Sequence, residues 1–365
     1  MTGAIKMLNI KNFIVLFFTI ICIAFICSCQ ESSKGDDVMN KETVFSIKDN
    51  LEFIYTTGRC AVTQESITCD WGGSGFSFNA DCEGNISLHY IKDSEQDVFF
   101  TVYIDGVRSQ QRVKLSGKEG WCSIGENLDK RTHFFEIYKQ TEIKKGFLCE
   151  FDMISMKGDF ADPPACKDIL IEFLGDSITA GIGNLGRNGI DGGEPINSDT
   201  TQTYAFIAGR ELNADFSIIA QGGASLTPNT GTGIHLASVY DYVSFERNKL
   251  DHWRYDRHPD IIVVNLGTND RSVGSDIFVN GVKTLGSMLR SYHKHAKIVF
   301  CIGMMQKGER TVEFKRAIKQ LGGEEANYFF LMLPTNNEGS GAHPSVNGNK
   351  EAAKTLIEFL DDFVK

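Results

Sequence analysis

The hydrophobic period of this chain changes near residue 162, and that change constrains the fold more than any other feature. After Asp162-Pro163-Pro164, short apolar runs alternate with amphipathic helical stretches. Residues 169–174 (apolar except for Glu172), 216–220, 261–266, 298–302 and 328–333 read as strands. Residues 203–212, 278–295, 312–321 and 349–364 read as helices. Strands that are apolar on both sides need cover on both sides, which a parallel sheet between two helical layers provides. In such sheets ligands bind beyond the carboxyl ends of the strands, so the search for chemistry belongs there.

Before the break the period is two. Phe76-Ser77-Phe78 and residues 86–90, 100–104 and 134–138 are rich in aromatic and β-branched side chains. Gly72-Gly73, Glu83-Gly84-Asn85 and Asp105-Gly106 read as turns between them. No long amphipathic helix interrupts the pattern, so residues 46–162 are expected to form a β-sandwich of jelly-roll type, with the α/β domain over 166–365.

The first residues read as a leader. Lys6 and Lys11 precede an apolar run over 13–27 broken only by Thr19, the length of a signal-peptide core. It ends in Ile26-Cys27-Ser28-Cys29 and turns polar, which resembles a bacterial lipobox. That resemblance implies a lipoprotein signal peptide over 1–29, a lipid on Cys29, and an exported protein held at the periplasmic face, the outer membrane or the cell surface. A plain signal peptide or a membrane anchor is the alternative. Residues 30–45 are polar and read as a flexible tether. A net charge of −10 argues against a nucleic-acid surface. Six of the seven cysteines beyond the leader precede residue 170; disulfides and buried thiols are both compatible with them, and no CxxC pair suggests zinc.

Four strand ends carry candidate chemistry. Gly175-Asp176-Ser177 follows the first strand of the α/β region and sets a serine on a turn; alone it would be an ordinary helix N-cap. A serine hydroxyl needs a base to become a nucleophile. Gln221-Gly222-Gly223-Ala224-Ser225 offers bare backbone N–H groups of the kind an oxyanion requires, although paired glycines also make common turns. Gly267-Thr268-Asn269-Asp270 places a side-chain amide at a third strand end. Gly341-Ala342-His343-Pro344 lies just before the last helix, and His343 alone among the eight histidines has such a position late in the chain. His293 and His295, two apart in a helical stretch, read as solvated surface. Trp253, Tyr240 and Tyr242, between the second and third blocks, suit either a sugar platform or core packing.

Taken in order, these blocks resemble the SGNH (GDSL-type) hydrolase superfamily. With the β-rich region in front, the chain resembles the two-domain acetyl esterases of carbohydrate esterase family 2. The resemblance implies a flavodoxin-like three-layer α/β/α domain behind a jelly roll. It further implies removal of O-acetyl groups from plant-type polysaccharides, with Ser177 as nucleophile and His343 as base. Ser177 N–H, Gly223 N–H and the Asn269 amide would hold the oxyanion, Gly223 being preferred to Gly222 because Gly223-Ala224-Ser225 matches the block's Gly-x-Ser form. No metal or organic cofactor is called for. The expected partners are an acetylated oligo- or polysaccharide and, through the lipid, a membrane; a monomer is expected. A larger acyl group (feruloyl or a lipid chain) and a non-catalytic glycan-binding role are the alternatives. One departure stands out: the superfamily places an aspartate three residues before the histidine, and here that residue is Ser340. Either a backbone carbonyl orients the imidazole or another acid does, Glu338 being nearest in sequence.

Overall fold

The computed structural model describes residues 42–193, 195–228, 233–244, 251–306 and 308–365. The stretch read as a leader, Cys29 with it, and most of the stretch read as a tether lie outside them.

The β-half contains β1 (Thr43–Ser46), β2 (Ile54–Thr57), β3 (Cys60–Val62), β4 (Ile67–Cys69), β5 (Gly75–Lys92), β6 (Val98–Ile104), β7 (Val107–Arg108), β8 (Val113–Leu115), β9 (Glu119–Lys139) and β10 (Cys149–Phe160). Hydrogen bonds link all ten into one antiparallel sheet, with β5 at its centre between β10 and β9. Phe76, Phe78, Ala80, Cys82, Ile86, Leu88 and Tyr90 alternate along β5 toward a buried cluster that β6, β9 and β10 also line. Among the described residues this half has no α-helix; the cluster is lined by strands of the same sheet and, through Leu51 and Phe53, by the 3-10 segment Lys48–Phe53. Glu83-Gly84-Asn85, expected as a turn, lies inside β5, where the register with β9 shifts on either side of Gly84. A bulge and a turn share composition; here the extra residue bends a long strand instead of ending it. β1 begins at Thr43, inside the stretch read as tether, and pairs with β10.

The α/β half follows as β11 (Leu170–Gly175), α1 (Ser177–Ala180), α2 (Tyr204–Glu211), β12 (Asp215–Ala220), β13 (Ile261–Asn265), α3 (Ser275–Tyr292), β14 (Lys297–Met304), α4 (Thr311–Gln320), β15 (Tyr328–Thr335) and α5 (Val346–Val364). All five strands are parallel, in the order β12-β11-β13-β14-β15. Leu174, Ile219, Val264 and Phe300 pack against Phe278, Leu285 and Phe314 of α3 and α4. Phe173, Ile218, Val263 and Val299 face the other way, against Phe206, Leu356 and Leu360 of α2 and α5. These are the three layers that doubly buried strands require.

Both cores draw on the β-half. Trp71 and Ile143 join the first, Tyr103 and Tyr138 the second. Glu172, the single charge in β11, meets the fully buried Arg59 at 3.1 Å. His293 departs from its expected surface setting. α3 stops at Tyr292, and His293 beyond it turns inward, 1% exposed, with Nε2 2.6 Å from the Tyr240 hydroxyl. Burial, with His258 and Arg59 nearby, pushes its pKa down to about 3. Tyr240 is likewise core. All seven described cysteines are unbridged, and all but Cys166 are buried.

Candidate active site

The strand order reverses direction of growth at β11, which lies between β12 and β13, and the site forms beyond its carboxyl end. Gly175 pairs with Ala220 on one side and Asn265 on the other, so three chains leave the sheet at one level. A Cβ on Gly175 would lie 2.0 Å from the Thr179 hydroxyl, so this tight turn from strand into α1 requires glycine. Asp176 is the N-cap of α1, its Oδ1 accepting the Ile178 N–H at 2.9 Å. Burial pushes the Asp176 carboxyl up to about 7, opposed by that N–H and by the Thr268 hydroxyl. The ordinary reading of Gly-Asp-Ser therefore holds for Asp176, and it leaves Ser177 at the first helical position facing the site.

His343 reaches Ser177 from the loop between β15 and α5. Its Nε2 lies 2.8 Å from Ser177 Oγ, and its Nδ1 lies 3.0 Å from the carbonyl oxygen of Ser340. Nδ1 therefore carries the proton and donates it to the carbonyl, leaving Nε2 to accept from the serine hydroxyl. The Glu338 carboxylate is engaged elsewhere, accepting from Asn336 Nδ2 and Ser345 Oγ, each at 3.0 Å. Of the two ways of orienting the ring, the geometry is that of the backbone carbonyl. Burial holds the His343 pKa below its ordinary value, and the Ser340 carbonyl offsets this only in part.

The turn that aims the Ser340 carbonyl is unusual. Gly341 and Ala342 both have left-handed backbone, φ 62° and 59°. For alanine that conformation costs on the order of 1 kcal/mol, so its neighbours must hold it. They do: Asn188 Oδ1 accepts the Ala342 N–H at 3.2 Å, Asn188 N–H bonds the Glu338 carbonyl at 2.8 Å, and Ser340 N–H bonds the Gly183 carbonyl at 2.9 Å. The segment leaving α1 thus fixes the histidine loop to the same frame as Ser177. Asn188 gave no signal in the sequence, because its partners lie about 150 positions away.

Gly223 occupies the turn after β12, with φ 78°, and Ala224 N–H closes that turn on the Gln221 carbonyl at 3.1 Å. Asn269, in the short 3-10 turn after β13, donates its amide to the Ala224 carbonyl at 2.9 Å. Asp270 is fully buried and accepts Leu226 N–H, Thr227 N–H and the Thr227 hydroxyl, at 3.0, 2.9 and 2.6 Å. Asp270 thereby fastens the second strand end to the third. Ser177 and His343 are thus in direct contact, and Gly223 and Asn269 belong to adjoining turns on the same edge. Trp253 is half-buried at the opposite, amino-terminal edge, where it lines a cavity of about 560 Å³ with Tyr55 and Leu170.

A serine hydroxyl bonded to a neutral, oriented imidazole is an arrangement for acyl transfer. The family profile of GDSL-like Lipase/Acylhydrolase matches residues 171–356. The chain belongs to the GDSL-like lipase/acylhydrolase family. Its β-half matches the Carbohydrate esterase 2 N-terminal profile over residues 56–164. Among curated relatives of this GDSL protein, the cellulase/esterase CelE of Acetivibrio thermocellus is 26% identical over 303 residues, 79% of this chain and 36% of that protein. The acetylxylan esterase / glucomannan deacetylase of Cellvibrio japonicus is 28% identical over 233 residues, 56% of this chain and 63% of that one. The chain's matches thus span less than two thirds of either relative. A family two carbohydrate esterase from Clostridium thermocellum, solved in complex with cellohexaose, shares the fold with a TM-score of 0.78 at 24% identity, over 85% of this chain and 98% of that one.

Proposed function

We propose that this chain is a carbohydrate deacetylase that works through a serine–histidine pair. The observation that carries the reading is the relay from Ser177 Oγ through the His343 ring to the Ser340 carbonyl, 2.8 and 3.0 Å long. In the first step Ser177 Oγ attacks the acetyl carbonyl while His343 Nε2 takes its proton, and the carbonyl electrons move onto oxygen. Ser177 N–H, Gly223 N–H and the Asn269 amide are the donors for that oxyanion. Collapse breaks the bond to the sugar oxygen, which leaves with the proton from His343. Water, deprotonated by His343, then cleaves the acetyl–serine ester and releases acetate.

The acetylated-glycan substrate is supported by the kinds of protein this chain resembles, one of them named for acetylxylan and glucomannan and another solved with cellohexaose. Export, a lipid on Cys29, display at the periplasmic face or outer surface, and a monomeric state are part of the same proposal; they rest on the sequence.

The test is acetate release from acetylated xylo- and gluco-oligosaccharides by the mature protein and by Ser177→Ala. Release that falls by at least about 10³-fold in the variant is the expected result. Equal release by the variant overturns the serine mechanism. No acetate from either protein, with ferulate or a longer acyl group released instead, overturns the acetyl assignment.

A further inference from the structure

The turn that holds Gly223 is steadied from the other half of the molecule. Gly222 and Gly223 are adjacent and lack Cβ atoms, so nothing in their own chemistry confines the peptide between them. An oxyanion donor must nevertheless sit still, because its contribution depends on being aimed before charge develops.

Beside the bond that closes the turn from Ala224 N–H to the Gln221 carbonyl, a restraint comes from residues 140–143, just after β9. The Gln140 carbonyl accepts both the backbone N–H and the hydroxyl of Thr200, at 3.0 and 2.9 Å. Glu142 Oε2 accepts the Gly222 N–H at 2.8 Å. The Ile143 carbonyl accepts Gln221 Nε2 at 3.1 Å, and its side chain is buried with Leu174, Ile219 and Ala224. A Cβ on Gly222 would lie 2.6 Å from Ile182 and 3.2 Å from the Glu142 carboxylate, so the turn is boxed in on that side. The loop is itself anchored in the β-half, where the buried Lys139 ammonium donates to the Asp70 carbonyl. Burying a carboxylate is costly, and burial does hold the Glu142 pKa above the usual carboxyl range. A leucine would have filled the space without that cost, but it could not accept the Gly222 N–H.

We propose that Glu142 is a positioning residue for the reaction: by accepting the Gly222 N–H it fixes the Gly222-Gly223 turn, so that the Gly223 N–H is aimed at the oxyanion. The inference rests on the esterase reading for its kinetic consequence, though not for its structural one. It makes the β-half a participant in the chemistry, acting through the donor turn.

The test compares the full-length protein with Glu142→Gln, which keeps an accepting oxygen without the charge, and Glu142→Ala, which has none. On an acetylated oligosaccharide, Glu142→Ala is expected to lose about tenfold in kcat with KM unchanged, a fraction of what deleting a donor costs. Glu142→Gln should stay within about twofold of the parent on the same scale. Amide hydrogen exchange supplies a second readout. Peptides covering residues 221–226 should exchange faster in Glu142→Ala, while those covering β13 should not change. If Glu142→Ala fails to fold, Glu142→Met, similar in volume and unable to accept, carries the same expectations. Parental kcat and parental exchange in the variant without an acceptor overturn the proposal, as does a Glu142→Gln protein as impaired as the truncated one. Should the parent release no acetate at all, the esterase reading fails, and the exchange data still decide the role of Glu142.

Discussion

His343 is half-buried, and the group that faces its Nδ1 is a dipole, the Ser340 carbonyl, and not a full negative charge. A carbonyl orients the ring without strongly favouring imidazolium, so desolvation dominates and the pKa falls. The neutral ring is the competent base, and activity disappears as pH drops through that pKa. A depressed value therefore extends activity into mildly acidic solution. The expected acid limb of kcat/KM has its midpoint below the ordinary histidine value of about 6.5. A pH–rate profile from 4 to 9 checks this (~0.5 unit steps suffice), and a midpoint above the ordinary value contradicts it.

Among the elements, the turns beyond β12 and β13 depend on each other through Asp270. Its carboxylate satisfies two backbone N–H groups and a hydroxyl away from water. Asp270→Ala leaves those donors without partners and is expected to cost about 3 kcal/mol or more, measured by urea unfolding. A loss under about 1 kcal/mol would mean the turn is held by other contacts. The elements themselves were legible in the sequence to the extent that burial writes itself into periodicity. The five parallel strands are apolar on both sides and stood out as runs. The places of Ser177, Gly223, Asn269 and His343 in the fold were legible because each follows a strand or precedes a helix. Glu83-Gly84-Asn85 misled because a bulge uses the same residues as a turn. His293 misled because its helix stops one residue before it, so helical spacing does not apply. Asn188 and Glu142 act through partners distant in the chain, which no local pattern announces.

Over the whole molecule, the two halves are not separable bodies. Arg59 and Glu172 are both buried and each comes from a different half. Arg210 Nη1 and Nη2 clamp Glu136 at 2.6 and 3.1 Å, with the guanidinium 3.9 Å from the Tyr103 ring. Trp71 and Ile143 lie within the α/β core. Parting the halves would expose those rings and the apolar side chains around them to water, which burial of that surface opposes. A single cooperative transition in differential scanning calorimetry is therefore expected of the full protein, with residues 166–365 failing to fold when produced alone. Two resolved transitions would show that the halves are independent.

The backbone carbonyl that orients His343 has a consequence for anyone reading this protein by mutagenesis. Every amino acid carries that group, so an alanine scan across residues 336–345 would pass over it in silence. Sequence comparison would be equally blind to it, since the buried Ser340 side chain, packed against Gly183 and Gly186, reports on the space for a small residue and not on the carbonyl. What the position forbids is a change of path. Proline at 341 or a β-branched residue at 342, both incompatible with left-handed backbone, would reveal the group that substitution at Ser340 itself conceals.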